Sequence, residues 1–417
     1  MDIWHIRGGR RLEGTCFVQG SKNASLPIIA ASIICPARSE LLNVPQLRDV
    51  DAALRILRHL GCKAEQSRGD VYIDSAGLCD SAIPHCLMEE MRSSVIFMGA
   101  LLARCGEAWL SLPGGCQLGK RPIDLHLAAL RQMGVEIEEN GAELFCRAED
   151  LHGADISLSF PSVGATENIM LAATRARGET VVRNAAREPE IVALQDYLCA
   201  MGAGISGAGS DTIRISGFRP ESSIGCRIIP DRIVASTIAC AAAACGGEVE
   251  MRGVDPSHFS TVLYFLKEAG CDIMCGERSV RLVSSKRLRA VSRVCTEPYP
   301  GFPTDAQPVL MAALLKARGK TTMVENIFEN RYRQAPELRR MGADINISGA
   351  TAEIWGVDCL HGTALTATDL RGGAAMIVAG LSADGETVIC DDGHVNRGYE
   401  RFDMRLRALG GDIFLSC

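Results

Sequence analysis

The chain has 417 residues, 47% of them hydrophobic, with 44 basic and 50 acidic side chains and a net charge of -6. This length exceeds one compact core, so two domains are expected, and the charge balance lacks the basic surface of a nucleic-acid-binding protein. The longest apolar run, 233–245, is shorter than the roughly 20 residues that span a bilayer, and no export signal is seen at the N-terminus, so we expect a cytoplasmic protein with neither a membrane nor a nucleic acid as partner.

Taken in chain order, the predicted elements repeat six times. Each repeat shows the end of a helix, a glycine and a strand, in the sequences LRHLGCKAE, LRQMGVEIE, LCAMGAGIS, LKEAGCDIM, LRRMGADIN and LRALGGDIF. The glycines are Gly61, Gly134, Gly202, Gly270, Gly342 and Gly410, so by subtraction they are separated by 73, 68, 68, 72 and 68 residues. This nearly constant period indicates six copies of one structural unit.

A second pattern keeps the same period. An alanine-rich helix, a glycine and a short β-branched run occur in segments such as IACAAAACGGEVEM and IVAGLSADGETVIC. These helices are apolar nearly all round, which is typical of buried helices. Three units in each half therefore predict an α/β protein with two similar domains of about 200 residues and helices inside.

One glycine pattern imitates a cofactor site. Gly202, Gly204 and Gly207 have the spacing of a dinucleotide-binding loop, but they follow a predicted helix and precede a predicted strand. The true fingerprint follows a strand and opens a helix. We therefore expect a helix end and a turn here rather than a nucleotide cofactor.

The segment SLPGGCQLGKRPIDLH, 111–126, places Cys116 in a glycine-rich loop before Lys120 and Arg121. Neighbouring cations favour a thiolate, so we expect a pKa below the free value of about 8.5 and a role as proton donor or nucleophile. The alternative is an ordinary loop cysteine, since the chain has 18 cysteines, most of them expected to be small buried hydrophobic residues. Their spacing, like that of the histidines, predicts no metal site.

Charged residues at repeat junctions form a second candidate group. Taken singly, most would be solvated charges or helix caps. Five cations lie at equivalent places in different repeats and could converge between the two domains to bind a small polyanion: Lys22, Arg121, Arg331, Arg371 and Arg397. Asp305 would be an isolated carboxylate in that field, where contact with a substrate hydroxyl could make it a general base.

These segments together resemble a known family. GSKNASLP, SLPGGCQLGKRPIDLH, FPSVGATENIM, NAAREPEI, PDRI, FPTDAQ, FENR, ATDLRGGAA and RGYE are similar, in order, to segments of the bacterial UDP-N-acetylglucosamine 1-carboxyvinyltransferases, which are enolpyruvyl transferases. The resemblance runs from about residue 5 to residue 413. It implies two similar inside-out α/β barrel domains built from six copies of the repeated unit, one of 22–229 and one of 1–21 with 230–417.

The resemblance also implies a reaction. The family transfers the enolpyruvyl group of phosphoenolpyruvate to the 3'-hydroxyl of UDP-N-acetylglucosamine and releases phosphate, the first committed step of peptidoglycan biosynthesis. It needs neither a metal nor an organic cofactor. Membership would connect the chain with cell shape and cell division and make it a target of fosfomycin.

Site residues follow from the matching motifs. Cys116 matches the proton donor to the methylene carbon, which can also bind the substrate covalently, and Asp305 matches the base for the sugar hydroxyl, with Lys22 and Arg397 also in the catalytic set. The phosphoenolpyruvate contacts implied are Lys22, Asn23, Arg121, Arg331, Arg371 and Arg397. The sugar-nucleotide contacts implied are Asn23, Arg92, Arg121, Pro122, Asp124, Leu125, Ser162, Val163, Gly164, Asp305 and Ile327.

Five positions depart from the family pattern. Ala306 replaces a frequent Met, Val234 replaces Glu, Arg333 and Gln334 replace a Met-His pair, and Asn396 replaces Asp. None is a carried-over catalytic residue, although several lie beside one. The departures leave room for a second isozyme.

Two other functions stay open at this point. The related shikimate-pathway enolpyruvyl transferases share the fold and phosphoenolpyruvate, and fold alone does not determine the substrate. A repeat protein that binds sugar nucleotides without turnover is the alternative from a different class. Cys116, Asp305 and the five cations favour the enzyme.

Overall fold

The structure is a computed structural model that describes residues 1–111, 123–218, 223–284 and 287–416. Within these ranges the chain forms two compact units. The continuous unit comprises 20–229, and the discontinuous unit comprises 1–19 together with 230–416. Each unit has a hydrophobic core of its own.

Three four-stranded sheets lie in the described residues of the continuous unit. In order across each sheet, their strands are β14 (Ser223–Arg227), β3 (Arg38–Leu42), β5 (Asp70–Asp74) and β4 (Lys63–Ser67); β6 (Ala82–Ile83), β7 (Glu107–Ser111), β9 (Glu143–Arg147) and β8 (Glu136–Asn140); and β10 (Asp155–Ser157), β11 (Thr180–Arg183), β13 (Thr212–Phe218) and β12 (Ala203–Ser206).

The described part of the discontinuous unit has three sheets of the same size. Their strands are, in order, β16 (Asp272–Cys275), β17 (Ser279–Ser284), β15 (Gly247–Arg252) and β2 (Leu12–Phe17); β18 (Arg293–Cys295), β19 (Lys320–Val324), β21 (Thr351–Trp355) and β20 (Asp344–Ser348); and β22 (Ala364–Thr366), β23 (Glu386–Asp391), β1 (Asp2–Arg7) and β24 (Asp412–Ser416).

All six sheets share one pairing pattern. In the first, β3 pairs in parallel with β14 and antiparallel with β5, which pairs antiparallel with β4. In the last, β23 pairs in parallel with β22 and antiparallel with β1, which pairs antiparallel with β24. The prediction of six copies of one α/β unit in two similar domains is therefore confirmed.

The first main helix of each repeat is buried inside its unit. These helices are α1 (Lys22–Ala31), α4 (Phe97–Cys105), α6 (Val163–Ala173), α8 (Arg232–Cys245), α10 (Gln307–Leu314) and α12 (Leu370–Ser382). In the discontinuous unit α8, α10 and α12 pack against one another, and in α12 all residues after the first are buried. Apolar side chains on every face make burial favourable on every face, as the alanine-rich pattern predicted.

The second helix of each repeat keeps one side in solvent. These helices are α2 (Arg48–His59), α5 (Asp124–Gln132), α7 (Pro189–Ala200), α9 (Ser260–Glu268), α11 (Ala335–Arg340) and α13 (Phe402–Ala408). The remaining described helices are α3 (His85–Glu90) and the 3-10 helices Arg92–Ile96, Pro256–Phe259, Thr304–Ala306 and Val395–Arg397. None of the helices in the described ranges has the length and apolar character needed to cross a bilayer.

The repeated glycines end these second helices. All six have a positive φ, between 86° at Gly134 and 107° at Gly270. A residue with a β-carbon is strained in this left-handed conformation, whereas glycine reverses the chain into the following strand without strain. The sequence pattern thus located the helix ends correctly.

Candidate active site

Several predicted site residues fall where the structure gives no description. Cys116, Arg121 and Pro122 lie in the segment 112–122, outside the described residues. Arg92 begins a short 3-10 helix, but its side chain is also outside the described part. Their proposed roles therefore stay predictions from the sequence.

Lys22 is the first residue of α1, in the continuous unit. The Ser21 hydroxyl caps this helix by accepting a hydrogen bond from the Ala24 N–H at 3.2 Å. Lys22 Nζ lies 3.1 Å from Oδ2 of Asp49, a buried carboxylate in the first turn of α2. This ion pair with a buried carboxylate restricts the position of the ammonium group. Asn23, the next predicted contact, is half-buried.

The predicted sugar-nucleotide residues of the continuous unit lie at two helix starts. Ser162 caps α6 by accepting from the Ala165 N–H at 3.3 Å, and Val163 and Gly164 form its first turn. Asp124 and Leu125 open α5. Backbone N–H groups at helix starts bind anions, so this arrangement suits a diphosphate.

His126 joins these two helix starts. A β-carbon at Gly164 would lie 3.0 Å from Cε1 of His126, so the ring packs where a larger residue would not fit. Asn168 accepts from the Gly99 N–H at 2.7 Å, which leaves its amide nitrogen to donate to Nδ1 of His126 at 2.9 Å. Nδ1 is then an acceptor, and the proton of the neutral ring is on Nε2. Burial lowers the pKa of His126 to about 4 against the opposing effect of Asp124, so the ring is neutral at pH 7.

In the discontinuous unit, Asp305 lies between two guanidinium groups. Its Oδ1 accepts from Arg331 Nη2 at 2.7 Å and its Oδ2 accepts from Arg371 Nη2 at 3.0 Å. Both arginines are buried, whereas about a quarter of the Asp305 side chain, 28%, is exposed. Arg331 also donates through Nε and Nη2 to the Thr304 carbonyl oxygen. The structure thus brings together three residues that lie far apart in the sequence.

Arg371 is fixed from several sides. It lies in the first turn of α12, whose cap Asp369 accepts from the Arg371 and Gly372 N–H groups at 3.0 Å. Its Nη1 donates to the Tyr399 hydroxyl at 3.3 Å, and that hydroxyl lies 2.9 Å from Thr237 Oγ1. Burial alone would lower the pKa of Arg371, but the charge of Asp305, assisted by Tyr399 and Asp231, raises this pKa above its ordinary value. Arg371 therefore stays charged.

Arg397 ends the 3-10 helix Val395–Arg397. The preceding residues are anchored by Asp391, which accepts from the His394 N–H at 2.7 Å and the Val395 N–H at 3.1 Å. Asn396 Nδ2 donates to Oδ2 of Asp2 at 2.8 Å. The N-terminal strand β1 therefore holds the turn that carries Arg397.

The departures from the family pattern have local explanations in part. Asn396 pairs with the buried carboxylate of Asp2, where an aspartate would repel it. Ala306 and Val234 are fully buried, and the Gln334 amide nitrogen lies 3.7 Å from Met311 Sδ. Nothing in the structure explains Arg333.

One expectation about the cysteines was wrong. All sixteen cysteines in the described ranges are free thiols, but only six are buried, namely Cys16, Cys35, Cys62, Cys146, Cys240 and Cys271. Cys105 and Cys275 lie at the ends of α4 and β16, where the packed part of the element stops, and are exposed. Within the described residues, no three His, Cys, Asp or Glu side chains are grouped as metal ligands.

Sequence reasoning missed the residues that hold the site side chains. Asp49, Glu325, Tyr399 and His126 contact or fix predicted site residues. His126 and Tyr399 lie within the quoted family segments, but no role was predicted for either of them. Asp49 had one usable signal, since an acidic residue in a first helical turn is typically a cap or a partner of a cation.

The fold is that of an enolpyruvyl transferase. The enolpyruvyl transferase NikO from Streptomyces tendae matches with a TM-score of 0.90 at 24% identity, covering 100% of this chain and 99% of that chain. The EPSP synthase from Acinetobacter baumannii matches with a TM-score of 0.76 at 21% identity, with all of both chains covered. Residues 6–406 also match the sequence family described as EPSP synthase (3-phosphoshikimate 1-carboxyvinyltransferase).

Sequence relatives show which family of enolpyruvyl transferases the chain resembles. A UDP-N-acetylglucosamine 1-carboxyvinyltransferase 2 of Caldanaerobacter subterraneus subsp. tengcongensis is 48% identical over 413 residues, with 99% of each chain covered. A UDP-N-acetylglucosamine 1-carboxyvinyltransferase of Geotalea uraniireducens is 44% identical over 413 residues, again with 99% of each chain covered. The chain belongs to the family of UDP-N-acetylglucosamine 1-carboxyvinyltransferases, which are transferases.

Proposed function

We propose that this protein transfers the enolpyruvyl group of phosphoenolpyruvate to the 3'-hydroxyl of UDP-N-acetylglucosamine and releases phosphate. The observation that carries the proposal is the contact of Asp305 with the two buried guanidinium groups of Arg331 and Arg371. Arg371 Nε has no hydrogen-bond partner among the described residues. A buried donor of this kind favours an incoming acceptor, and the carboxylate of phosphoenolpyruvate would supply one.

The first step would be addition. The sugar hydroxyl oxygen bonds to C2 of the enolpyruvyl group, its proton passes to Asp305, and Cys116 gives a proton to the methylene carbon C3. Lys22, Arg121 and Arg397 would hold the phosphate, while Arg331 and Arg371 would hold the carboxylate. Fixed cations of this kind lower the barrier because they need no reorganisation as charge develops in the transition state.

The second step would be elimination. C3 returns a proton to the Cys116 thiolate, which restores the double bond as the bond from C2 to the phosphate oxygen breaks. The proton held by Asp305 passes to the departing phosphate. Phosphate leaves, and the enolpyruvyl ether remains on the sugar. Within this scheme Asp305 must exchange at least one guanidinium contact for the sugar hydroxyl, which its partial exposure permits.

The sugar nucleotide would lie along the starts of α5 and α6. Val163 and Gly164 would present helix N–H groups to the diphosphate beside the capping Ser162, and the neighbouring Asp124 and Leu125 would contact the rest of the nucleotide. Asn23, Arg92, Pro122 and Ile327 complete the proposed set. Such an enzyme would work in the cytoplasm, in the pathway that supports cell shape and division, and would be a fosfomycin target.

Phosphate release tests the proposal. The purified protein should release phosphate when phosphoenolpyruvate and UDP-N-acetylglucosamine are both present, and no phosphate with either one alone. Shikimate 3-phosphate in place of the sugar nucleotide tests the related transferase activity. Release with shikimate 3-phosphate only, or sugar-nucleotide binding without any release, would overturn the assignment.

A further inference from the structure

Glu325 lies at the end of β19 and contacts two parts of the proposed site. Its side chain is buried, with 4% of the residue exposed. Oε1 accepts from the Ile327 N–H and the Phe328 N–H, each at 3.0 Å. The Thr304 hydroxyl lies 3.1 Å from both carboxylate oxygens. A buried carboxylate with this many donors is held in one geometry, because hydrogen bonds to a charged acceptor are stronger than neutral ones.

The contact with Thr304 reaches the proposed base and one of its cations. Thr304 directly precedes Asp305, and its carbonyl oxygen accepts both from Nε of Arg331 at 3.1 Å and from Nη2 at 3.0 Å. Fixing Thr304 therefore fixes the backbone of Asp305 and the plane of the Arg331 guanidinium together.

The contacts with Ile327 and Phe328 reach a second part of the proposed site. Ile327 is a proposed sugar-nucleotide contact, and the Phe328 ring lies below Arg331, with Cζ of Arg331 5.8 Å from the ring centroid. Glu325 itself is anchored to the sheet, since its N–H donates to the Ala350 carbonyl oxygen at 2.8 Å. The carboxylate thus joins both parts of the site, Thr304 and the start of the Ile327 loop, to the end of β19.

We infer that Glu325 is a positioning residue that holds the Asp305 backbone, Arg331 and the Ile327 loop in one catalytic arrangement. The inference rests on the proposed function. Reactions that depend on orientation lose rate steeply when groups move by about 1 Å, up to roughly 100-fold. Removal of the carboxylate should therefore affect turnover although Glu325 touches neither substrate in this scheme.

Four variants and one control test this role by steady-state phosphate release. Glu325→Ala should lower kcat about 100-fold and raise KM for UDP-N-acetylglucosamine, because it removes both the contact with Thr304 and the contacts with the Ile327 and Phe328 N–H groups. Thr304→Val removes only the contact toward Asp305, so kcat should fall about tenfold while that KM stays unchanged. In the Glu325→Ala background, Thr304→Val should have no further effect, since its partner is already absent.

Glu325→Gln distinguishes the loss of the positioning contacts from a general loss of the fold. Its amide oxygen can still accept from the two N–H groups and its nitrogen can donate to Thr304, so kcat should recover to within about tenfold of the parent. Ser284→Ala is the control, because it removes another buried hydrogen-bonded hydroxyl of the same unit at a distance in sequence from these residues. It should lower the thermal midpoint without altering kcat or either KM.

Three results would overturn the inference: unchanged kcat in both Glu325→Ala and Thr304→Val, full and independent effects of the two substitutions in the double variant, or a loss of kcat in Ser284→Ala equal to that in Glu325→Ala. Where Glu325→Ala does not fold, Thr304→Val and Glu325→Gln still decide. A parent protein that releases no phosphate would contradict the proposed function instead, so the two failures are distinguishable.

Discussion

Asp305 lies between two buried guanidinium groups. A substitution that tests its role as a general base should therefore keep the size and shape of the side chain. Asp305→Asn retains an oxygen that accepts from one arginine, whereas alanine would leave the Arg331 and Arg371 charges without the carboxylate that they share. We expect Asp305→Asn to lose 10²- to 10⁴-fold in kcat, the usual contribution of a general base. Calorimetric titration should still detect UDP-N-acetylglucosamine. Retained turnover would leave Asp305 with a bracing role alone.

The pair of Asn396 and Asp2 allows a charge-swap experiment. Asn396→Asp would place two carboxylates where one hydrogen bond of 2.8 Å now joins an amide to a carboxylate. Their repulsion should loosen the turn that ends at Arg397 and raise KM for phosphoenolpyruvate roughly tenfold. Adding Asp2→Asn restores one amide and one carboxylate, so the double variant should recover the parent KM. If it does not, Asn396 does not act through Asp2.

Cys116 should be the most reactive thiol of the chain. Cations beside it favour the thiolate, and fosfomycin, an anionic epoxide, should alkylate it faster when the sugar nucleotide is present. The exposed thiols Cys79, Cys86, Cys105, Cys199 and Cys275 are internal controls for simple accessibility. Peptide mapping by mass spectrometry after brief exposure measures each site. Equal labelling of the controls would remove Cys116 from the proposed mechanism.

Motifs alone predicted Asp305, Arg331 and Arg371 as parts of one site, and the structure brings them into contact. Residues that act through these three could not be predicted in the same way. Glu325 reaches Thr304 across 21 positions, and such a pairing depends on how β19 packs beside the start of α10. Local sequence carries no information on that packing.

At the scale of elements, α6 contains a carboxyl group that folding keeps from water. Burial raises the pKa of Glu167 well above its ordinary value, and Glu190 and Glu188 raise it further. A raised pKa in the folded state means that stability is fully present below the unfolded-state pKa and is lost as the pH rises through the folded-state pKa. Glu167→Gln cannot ionise, so its thermal midpoint should fall less than that of the parent between pH 5 and pH 8.

A matched variant keeps that test specific. Glu136→Gln removes an exposed carboxylate on β8, in the same unit, and should leave the pH dependence of the parent unchanged. If the thermal midpoints of Glu167→Gln and Glu136→Gln depend on pH in the same way, the titration of Glu167 does not contribute to stability as its burial requires.

Periodicity predicted the helices and their ends because one glycine conformation recurs in every repeat. It could not predict how strands that are distant in the sequence pair within each unit. β14 pairs in parallel with β3, from the other end of the continuous unit, and β1 inserts between β23 and β24. Such pairings join residues separated by most of a domain, and nothing in a local pattern specifies them. The resemblance, not the period, supplied the discontinuous second domain.

On the scale of the whole molecule, the continuous unit should fold as an independent fragment. Its ends meet, since the Ser21 N–H donates to the Ile229 carbonyl oxygen at 2.7 Å, and its three sheets take all their strands from 20–229. A fragment of 20–229 should unfold cooperatively by circular dichroism. A fragment of 230–417 lacks β1 and β2 and should not, unless 1–19 is attached by a linker after residue 417. Equal cooperativity of 230–417 with and without that attachment would contradict the argument.

The position of β1 in the sequence determines when this strand can pair during synthesis of the chain. β1 and β2 leave the ribosome before the rest of the described chain, but β1 pairs with 386–391 and 412–416, at the other end of the described chain. At about 5–20 residues per second, the first strand waits roughly 20–80 s for its partners. During this interval the continuous unit can close while Trp4 and Ile6, buried in the finished protein, are still exposed. The nascent chain therefore offers chaperones an unpaired apolar strand until residues 386–416 have been synthesised.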